Sequence, residues 1–214
     1  MARAFCHRCH RPASNCLCRL ATPIPNAIGV IVLQHPQERS HARGSAIIAE
    51  LCLQDYQCWV ADDFNQHEPL QQWLAEQAEQ CALVFPAAHA QAVDLDQPGR
   101  SATAFSSSPR YLLFIDASWR KARKIWHTTP ALQRLNCIAL QTRQASNYRI
   151  RKSPGPGMLS SIEAISACLS WFDRDTDYQP MLRIFEQMIE RQIEHMGQSV
   201  YQNNYRQLAG DAET

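Results

Sequence analysis

Short apolar runs that alternate with helical patterns constrain this chain more than any other feature. The runs cover residues 27–33, 57–61, 81–85, 111–115 and 137–140. Each has the length of a strand rather than of a buried helix. Helical periodicity occupies residues 44–53, 69–79, 119–126, 161–172 and 181–196. Alternation of this kind predicts an α/β fold, a mostly parallel sheet with helices on both faces. Such sheets take their ligands at the carboxyl ends of strands, which directs attention to the loops after Phe85, Ile115 and Leu140.

The 214 residues, 45% hydrophobic and 19% charged, suffice for one sizeable core and do not have the balance of a disordered chain. We expect two parts: a small cysteine-rich module over residues 1–22 and a main domain over 23–214. The connector Thr22-Pro23-Ile24-Pro25-Asn26 separates them, since its prolines suit neither a helix nor a central strand. The apolar run at 27–33 is far too short to cross a bilayer, and Met1 to Phe5 lack the apolar stretch of a signal peptide. A cytoplasmic protein is therefore expected. Nine cysteines, an odd number, fit thiols and a metal better than a disulfide framework.

Cys6, Cys9, Cys16 and Cys18 have the spacing C-x2-C-x6-C-x-C. Four soft thiolates within thirteen residues suit tetrahedral zinc, and a complete four-cysteine shell leaves no open position for catalysis. The expected role is structural, since so short and polar a segment buries little apolar surface of its own. The competing reading is four free or oxidised thiols, and His7 or His10 would serve as substitute ligands. Cys52, Cys58, Cys81, Cys137 and Cys168 sit in apolar runs and are read as small core residues.

Charge is unevenly spread along the chain. The segment 110–152 holds ten Lys or Arg residues and one acid, Asp116, a local charge of +9 within a chain whose net charge is +1. A polyanionic partner fits such a segment. Asp116 ends the run Tyr111-Leu112-Leu113-Phe114-Ile115, and Ser118 is placed to cap the next helix. On that helix Trp119, Ala122, Ile125 and Trp126 share one arc, while Arg120, Lys121, Arg123 and Lys124 spread over the other. Further on, Ser160 and Glu163 have the S-x-x-E spacing of a capping box. The loop from Ser153 to Gly157, two prolines and two glycines among its five residues, allows backbone groups to come close to a ligand.

Asp116-Ala117-Ser118-Trp119 resembles the D-x-T-W signature of the DTW-domain family, tRNA-uridine aminocarboxypropyltransferases. The resemblance extends over most of the chain. The cysteine cluster is similar to the family's zinc module, Leu33-Gln34-His35-Pro36 to its early strand-loop motif, and Tyr148-Arg149 through Pro154 with Leu159-Ser160-Ser161-Ile162-Glu163-Ala164 to its Arg…Pro…L-S-T-x-E-A stretch. Ser118 and Ser161 stand where the family pattern has threonine, and both keep the hydroxyl. The resemblance implies a SPOUT-like fold with a carboxyl-terminal knot. It also implies transfer of the 3-amino-3-carboxypropyl group of S-adenosylmethionine to N3 of a tRNA uridine, in the variable loop, with methylthioadenosine released.

On that reading Asp116, Ser118 and Trp119 are the catalytic candidates. Asp116 accepts or steers the N3 proton, orients the uracil imide, or binds the donor's ammonium group; Trp119 stacks on a base or packs within its helix. Candidate donor-binding residues are Phe85, Pro86, Ile115, Leu140, Pro154, Gly155, Met158, Leu159, Ser160, Ser161 and Glu163, with helix capping the competing role for Ser160 and Glu163. Arg39, Arg43, Arg120, Lys121, Arg123, Lys124, Arg149, Arg151 and Lys152 are the candidates for tRNA phosphates. His35 and His41 receive no catalytic role. Two other functions remain open: a SPOUT-type RNA methyltransferase, and a zinc-containing RNA-binding protein without catalysis.

Overall fold

The computed structural model describes residues 4–39, 41, 44–97, 108–151 and 157–205. Arg43, Lys152, Pro154 and Gly155 lie outside them. Six strands form one sheet in which every pairing is parallel: β1 (Gly29–Gln34), β2 (Tyr56–Val60), β3 (Cys81–Val84), β4 (Gln91–Asp94), β5 (Tyr111–Asp116) and β6 (Asn136–Gln141). Their order is β2-β1-β5-β3-β6-β4. The helices are α1 (Pro36–Arg39), α2 (Ile47–Cys52), α3 (Glu68–Gln77), α4 (Trp119–Thr128), α5 (Pro130–Gln133), α6 (Ser161–Phe172), α7 (Gln179–Met196) and α8 (Gln198–Tyr205).

Strand alternation divides the core into two. Val30, Val32, Leu112, Phe114, Ala82 and Ile138 face α2, α6 and α7, whereas Ile31, Leu33, Leu113, Leu83 and Cys137 face α3, α4 and α5. Because β1 is covered on both faces, all six of its residues are buried, as a central parallel strand requires. Strand β4 matches none of the apolar runs. It pairs only with β6 at the sheet's edge and buries just Val93, so its sequence carries no apolar alternation to read.

The cysteine segment does not stand apart from the main core. Cys9 and Leu17 belong to the same cluster as α2 and α7. The guanidinium of buried Arg11 donates to the Gly44 carbonyl at 2.9 Å and touches Met188 Sδ at 2.9 Å. Arg191 donates to the Cys16 carbonyl at 3.2 Å. Among the described residues, no helix is long and apolar enough to cross a membrane.

Candidate active site

The carboxyl ends of β3, β5 and β6 open onto a cavity of about 610 Å³, within the range of small-molecule sites. Four stretches build most of its wall: Val84–Pro86 after β3, Phe114, Ile115 and Ala117 to Trp119 around the end of β5, Ile138 and Leu140 to Thr142 at the end of β6, and Gly157 to Ser161 leading into α6. Phe85, Pro86, Ile115, Leu140, Met158, Leu159, Ser160 and Ser161 all line it, as do Ser118 and Trp119. Gly157 closes the wall from the far side. It has φ +71°, and a Cβ there would come within 2.6 Å of the Thr142 carbonyl, so only glycine lets the loop press against the end of β6.

Asp116 is not part of the wall. It is 4% exposed, its Oδ2 accepts from Gln34 Nε2 at 2.8 Å, and its Oδ1 accepts from the Ser161 hydroxyl at 2.5 Å. One carboxylate thereby ties β1, β5 and α6 together. Ser161 does line the cavity, and since its proton is given to Asp116, its oxygen lone pairs are left to accept a hydrogen bond from a ligand. Glu163 likewise sits behind the wall. Its carboxylate accepts from Ser160 N at 2.8 Å, Ser146 Oγ at 2.6 Å and Asn147 N at 2.7 Å. The capping box foreseen for Ser160 and Glu163 is present, so the carboxylate is committed to the loop that carries the wall rather than to a ligand.

Ser118 departs from expectation in the opposite direction. It occupies the N-cap position of α4, yet its hydroxyl makes no capping bond, and the residue lines the cavity. Along α4, Ala122 and Ile125 are buried, Trp119 and Trp126 are partly buried, and Arg120, Arg123 and Lys124 are exposed. Trp126 stacks on Phe85 with ring centroids 5.4 Å apart, which holds the aromatic wall in place. Lys121 bends toward β1, where it meets Gln37 Oε1 and comes within 3.5 Å of His35 Nδ1. His35 is held on its other side by Asp62 at 3.0 Å.

Of the seven expected phosphate-binding cations among the described residues, Arg39 and Arg149 are engaged by acids elsewhere. Arg39 sits in a small recess beside the cysteines, 3.5 Å from Glu50. Arg149 pairs with Glu190 at 2.5 Å, and that bond raises its pKa. Arg151 lines the cavity, 3.8 Å from Glu38. Among the described residues, Arg120, Arg123 and Lys124 form no ion pair, which leaves the exposed face of α4 as a compact unpaired cationic surface.

The sulfurs of Cys6, Cys9, Cys16 and Cys18 all lie within 4.8 Å of one another. Cys6 to Cys18 and Cys9 to Cys16 are both 3.7 Å. A tetrahedral shell with metal–sulfur bonds of ~2.3 Å places its sulfurs about 3.8 Å apart, so the four residues fit zinc. The thiol of Cys6 is lowered to about 6, chiefly by backbone hydrogen bonds from Cys9 and Arg8, whereas burial pushes Cys18 up to about 12. Four thiols this close do not all ionise without a cation among them. His7 and His10 are outside the cluster.

A parallel α/β sheet with an aromatic, hydroxyl-lined cavity at its strand ends and a four-cysteine cluster defines a ligand-binding α/β protein with a metal-type module. The chain belongs to the DTW-domain family, whose model matches residues 3–193. It is similar to tRNA-uridine aminocarboxypropyltransferase 2 of Drosophila melanogaster, 31% identical over 175 residues, covering 78% of this chain and 66% of that protein. The protein of the same name from Mus musculus is 24% identical over 204 residues, covering 92% and 66%. tRNA-uridine aminocarboxypropyltransferase A of Arabidopsis thaliana is 21% identical over 224 residues, covering 91% and 83%. The chain thus spans 66% of the length of the fly and mouse relatives. No solved structure matches it significantly.

The inner parts of the cavity carry no local sequence signal. Gln141 ends β6, and Thr142, Ser146 and Tyr148 follow it in a loop whose course no local pattern reveals. Gln34, the partner of Asp116, stood in the early strand-loop motif but gave no sign of its contact across the sheet.

Proposed function

We propose that this chain is a cytoplasmic tRNA-uridine aminocarboxypropyltransferase. The observation that carries the reading is the cavity itself, which brings Ala117-Ser118-Trp119 and the segment Met158–Ser161 onto one wall with Asp116 directly behind Ser161, in a chain similar to proteins of that name. S-adenosylmethionine supplies a sulfonium-activated methylene: the bond from uridine N3 to that carbon forms as the carbon–sulfur bond breaks, and the electron pair leaves on methylthioadenosine. The chain's task is to select that carbon by position.

Phe85, Pro86, Leu140, Met158 and Leu159 enclose the donor's adenosine, and backbone groups of the 157–161 segment hold it. Trp119 lies at the mouth of α4, where a uracil ring stacks on it. Ser161 accepts the N3 hydrogen, and Asp116 behind it takes the proton, so the carboxylate acts through the hydroxyl rather than by direct contact. Ser118 holds the uracil carbonyl or the donor's ammonium group. The exposed face of α4 tracks tRNA phosphates next to the cavity.

A zinc ion held by Cys6, Cys9, Cys16 and Cys18 would stabilise the residue 1–22 module against α2 and α7, supplying fold rather than chemistry. The SPOUT-like cradle with its carboxyl-terminal knot belongs to the same reading. Its support is the return of residues 157–161 to the ends of β5 and β6. The reaction is tested with unmodified tRNA and S-adenosylmethionine labelled on the carboxyl or on the methyl group. Carboxyl label is expected in RNA and methyl label in methylthioadenosine. Methyl label in RNA would instead establish a methyltransferase, and neither label in RNA would leave a binding protein.

A further inference from the structure

We propose that Arg151 binds the α-carboxylate of the donor and thereby fixes which of its carbons faces the acceptor. The assignment rests on the cavity being the S-adenosylmethionine site. Among the described residues of the wall, Arg151 is the one with a charged side chain; the polar remainder, including Ser118, Thr142, Ser146 and Ser161, is neutral. The nearby acids are spent behind the wall, Asp116 on Gln34 and Ser161, Glu163 on Ser146, Asn147 and Ser160. Among the described residues, the cavity therefore presents a cation with no anion inside it.

Glu38 does not exhaust that cation. At 3.8 Å it lies beyond hydrogen-bond range, so its effect is Coulombic and the guanidinium's N–H donors stay available. The base of the side chain is well fixed, because Arg151 N donates to the Tyr148 carbonyl at 3.0 Å and the preceding Ile150 is fully buried. A planar guanidinium matches a carboxylate in two-point geometry.

The donor carries one anionic group, the α-carboxylate, at the end of the arm that is transferred; its ammonium and sulfonium are cations that Arg151 repels. Adenosine against the apolar wall and carboxylate on Arg151 pin the two ends of the donor. The methylene chain between them is stretched across the cavity, and the carbon next to sulfur becomes the one with a fixed position. The methyl group is held by neither contact. An RNA phosphate is the other anion that would meet Arg151, and it makes a different prediction.

The test is calorimetric binding without RNA, using the full chain and three ligands: S-adenosylmethionine, its decarboxylated analogue, and methylthioadenosine. The unaltered protein should bind S-adenosylmethionine about ten- to a hundred-fold tighter than the decarboxylated analogue, the range for a charged hydrogen-bonded pair. Arg151→Met should abolish that preference while changing methylthioadenosine affinity less than about three-fold, and Arg151→Lys should restore part of it. A preference that survives in Arg151→Met refutes the assignment, and if the tRNA salt slope has meanwhile fallen by about one, Arg151 meets a phosphate instead. Equal losses for all three ligands would show a structural role. If the unaltered protein binds none of them, the donor site itself has been misread, and Arg151 falls with it.

Discussion

Replacing Asp116 by Asn removes a charge and a proton acceptor while nearly preserving shape. The buried carboxylate accepts two hydrogen bonds, from Gln34 and Ser161. Asn keeps an acceptor for the Ser161 hydroxyl, but its amide then faces the Gln34 amide, which must turn over to offer its oxygen. That oxygen's existing partner is the Cys58 thiol at 3.9 Å, a weak donor that is cheaply lost. Both bonds thus lose their charge assistance and one is rearranged, a cost of about 1–3 kcal/mol. For a chain of this size that lowers Tm by roughly 3–10 °C, so the variant should remain folded at assay temperature. Transfer should fall about 10²- to 10⁴-fold, the range for removing a general base. S-adenosylmethionine and tRNA affinities should change by less than about three-fold, since Asp116 does not line the cavity. The assay is incorporation of carboxyl-labelled donor into unmodified tRNA under single-turnover conditions. Transfer within a few-fold of normal would refute the relay from Ser161 to Asp116 and leave positioning alone to account for the rate.

Three further outcomes follow from the same geometry. Reduced, tag-free protein should contain one zinc per chain, and Cys6→Ser with Cys9→Ser should lower Tm by roughly 10 °C or more, because Cys9 and Leu17 are buried in the main core; absent zinc or an unchanged Tm would remove the structural-zinc reading. Replacing Arg120, Lys121, Arg123 and Lys124 by Ala should flatten the logarithmic salt dependence of tRNA binding by about 2–4 with donor affinity intact, and an unchanged slope would send RNA to another face. Burial raises Asp173, but hydrogen bonds led by that from the buried Tyr178 hydroxyl outweigh it and hold the carboxyl below 3.8. A depressed folded pKa stabilises above 3.8 and loses that effect as pH falls through the folded value. Tyr178→Phe should therefore cost about 1–3 kcal/mol in urea unfolding at pH 7 and less at pH 3; a cost that does not vary with pH would show that the hydrogen bond does not tune Asp173.

The elements read from local pattern are the ones that local physics decides. Strands β1, β2, β3, β5 and β6 begin and end within two residues of their apolar runs; burial on both faces of a parallel sheet demands such a run most plainly of β1, while the edge strand β2 is only partly buried. Ser160 and Glu163 form their capping box because both partners lie within one helical turn. The four cysteines converge because thirteen residues of chain hold them near one another. Tertiary structure decided the rest. Strand β4 exists only through its pairing with β6. Whether Asp116, Glu163 and Arg151 face the cavity or its back depends on Gln34, Ser146 and Glu38, which arrive from other elements. The sequence by itself determined a parallel α/β chain with a metal-type cysteine cluster and pointed to the strand ends where the cavity of β3, β5 and β6 opens, because periodicity, capping and ligand spacing act over a few residues. Only the folded chain could assign each charged group to a ligand or to a neighbour, because a charge is committed by whichever opposite group packing brings within a few ångströms.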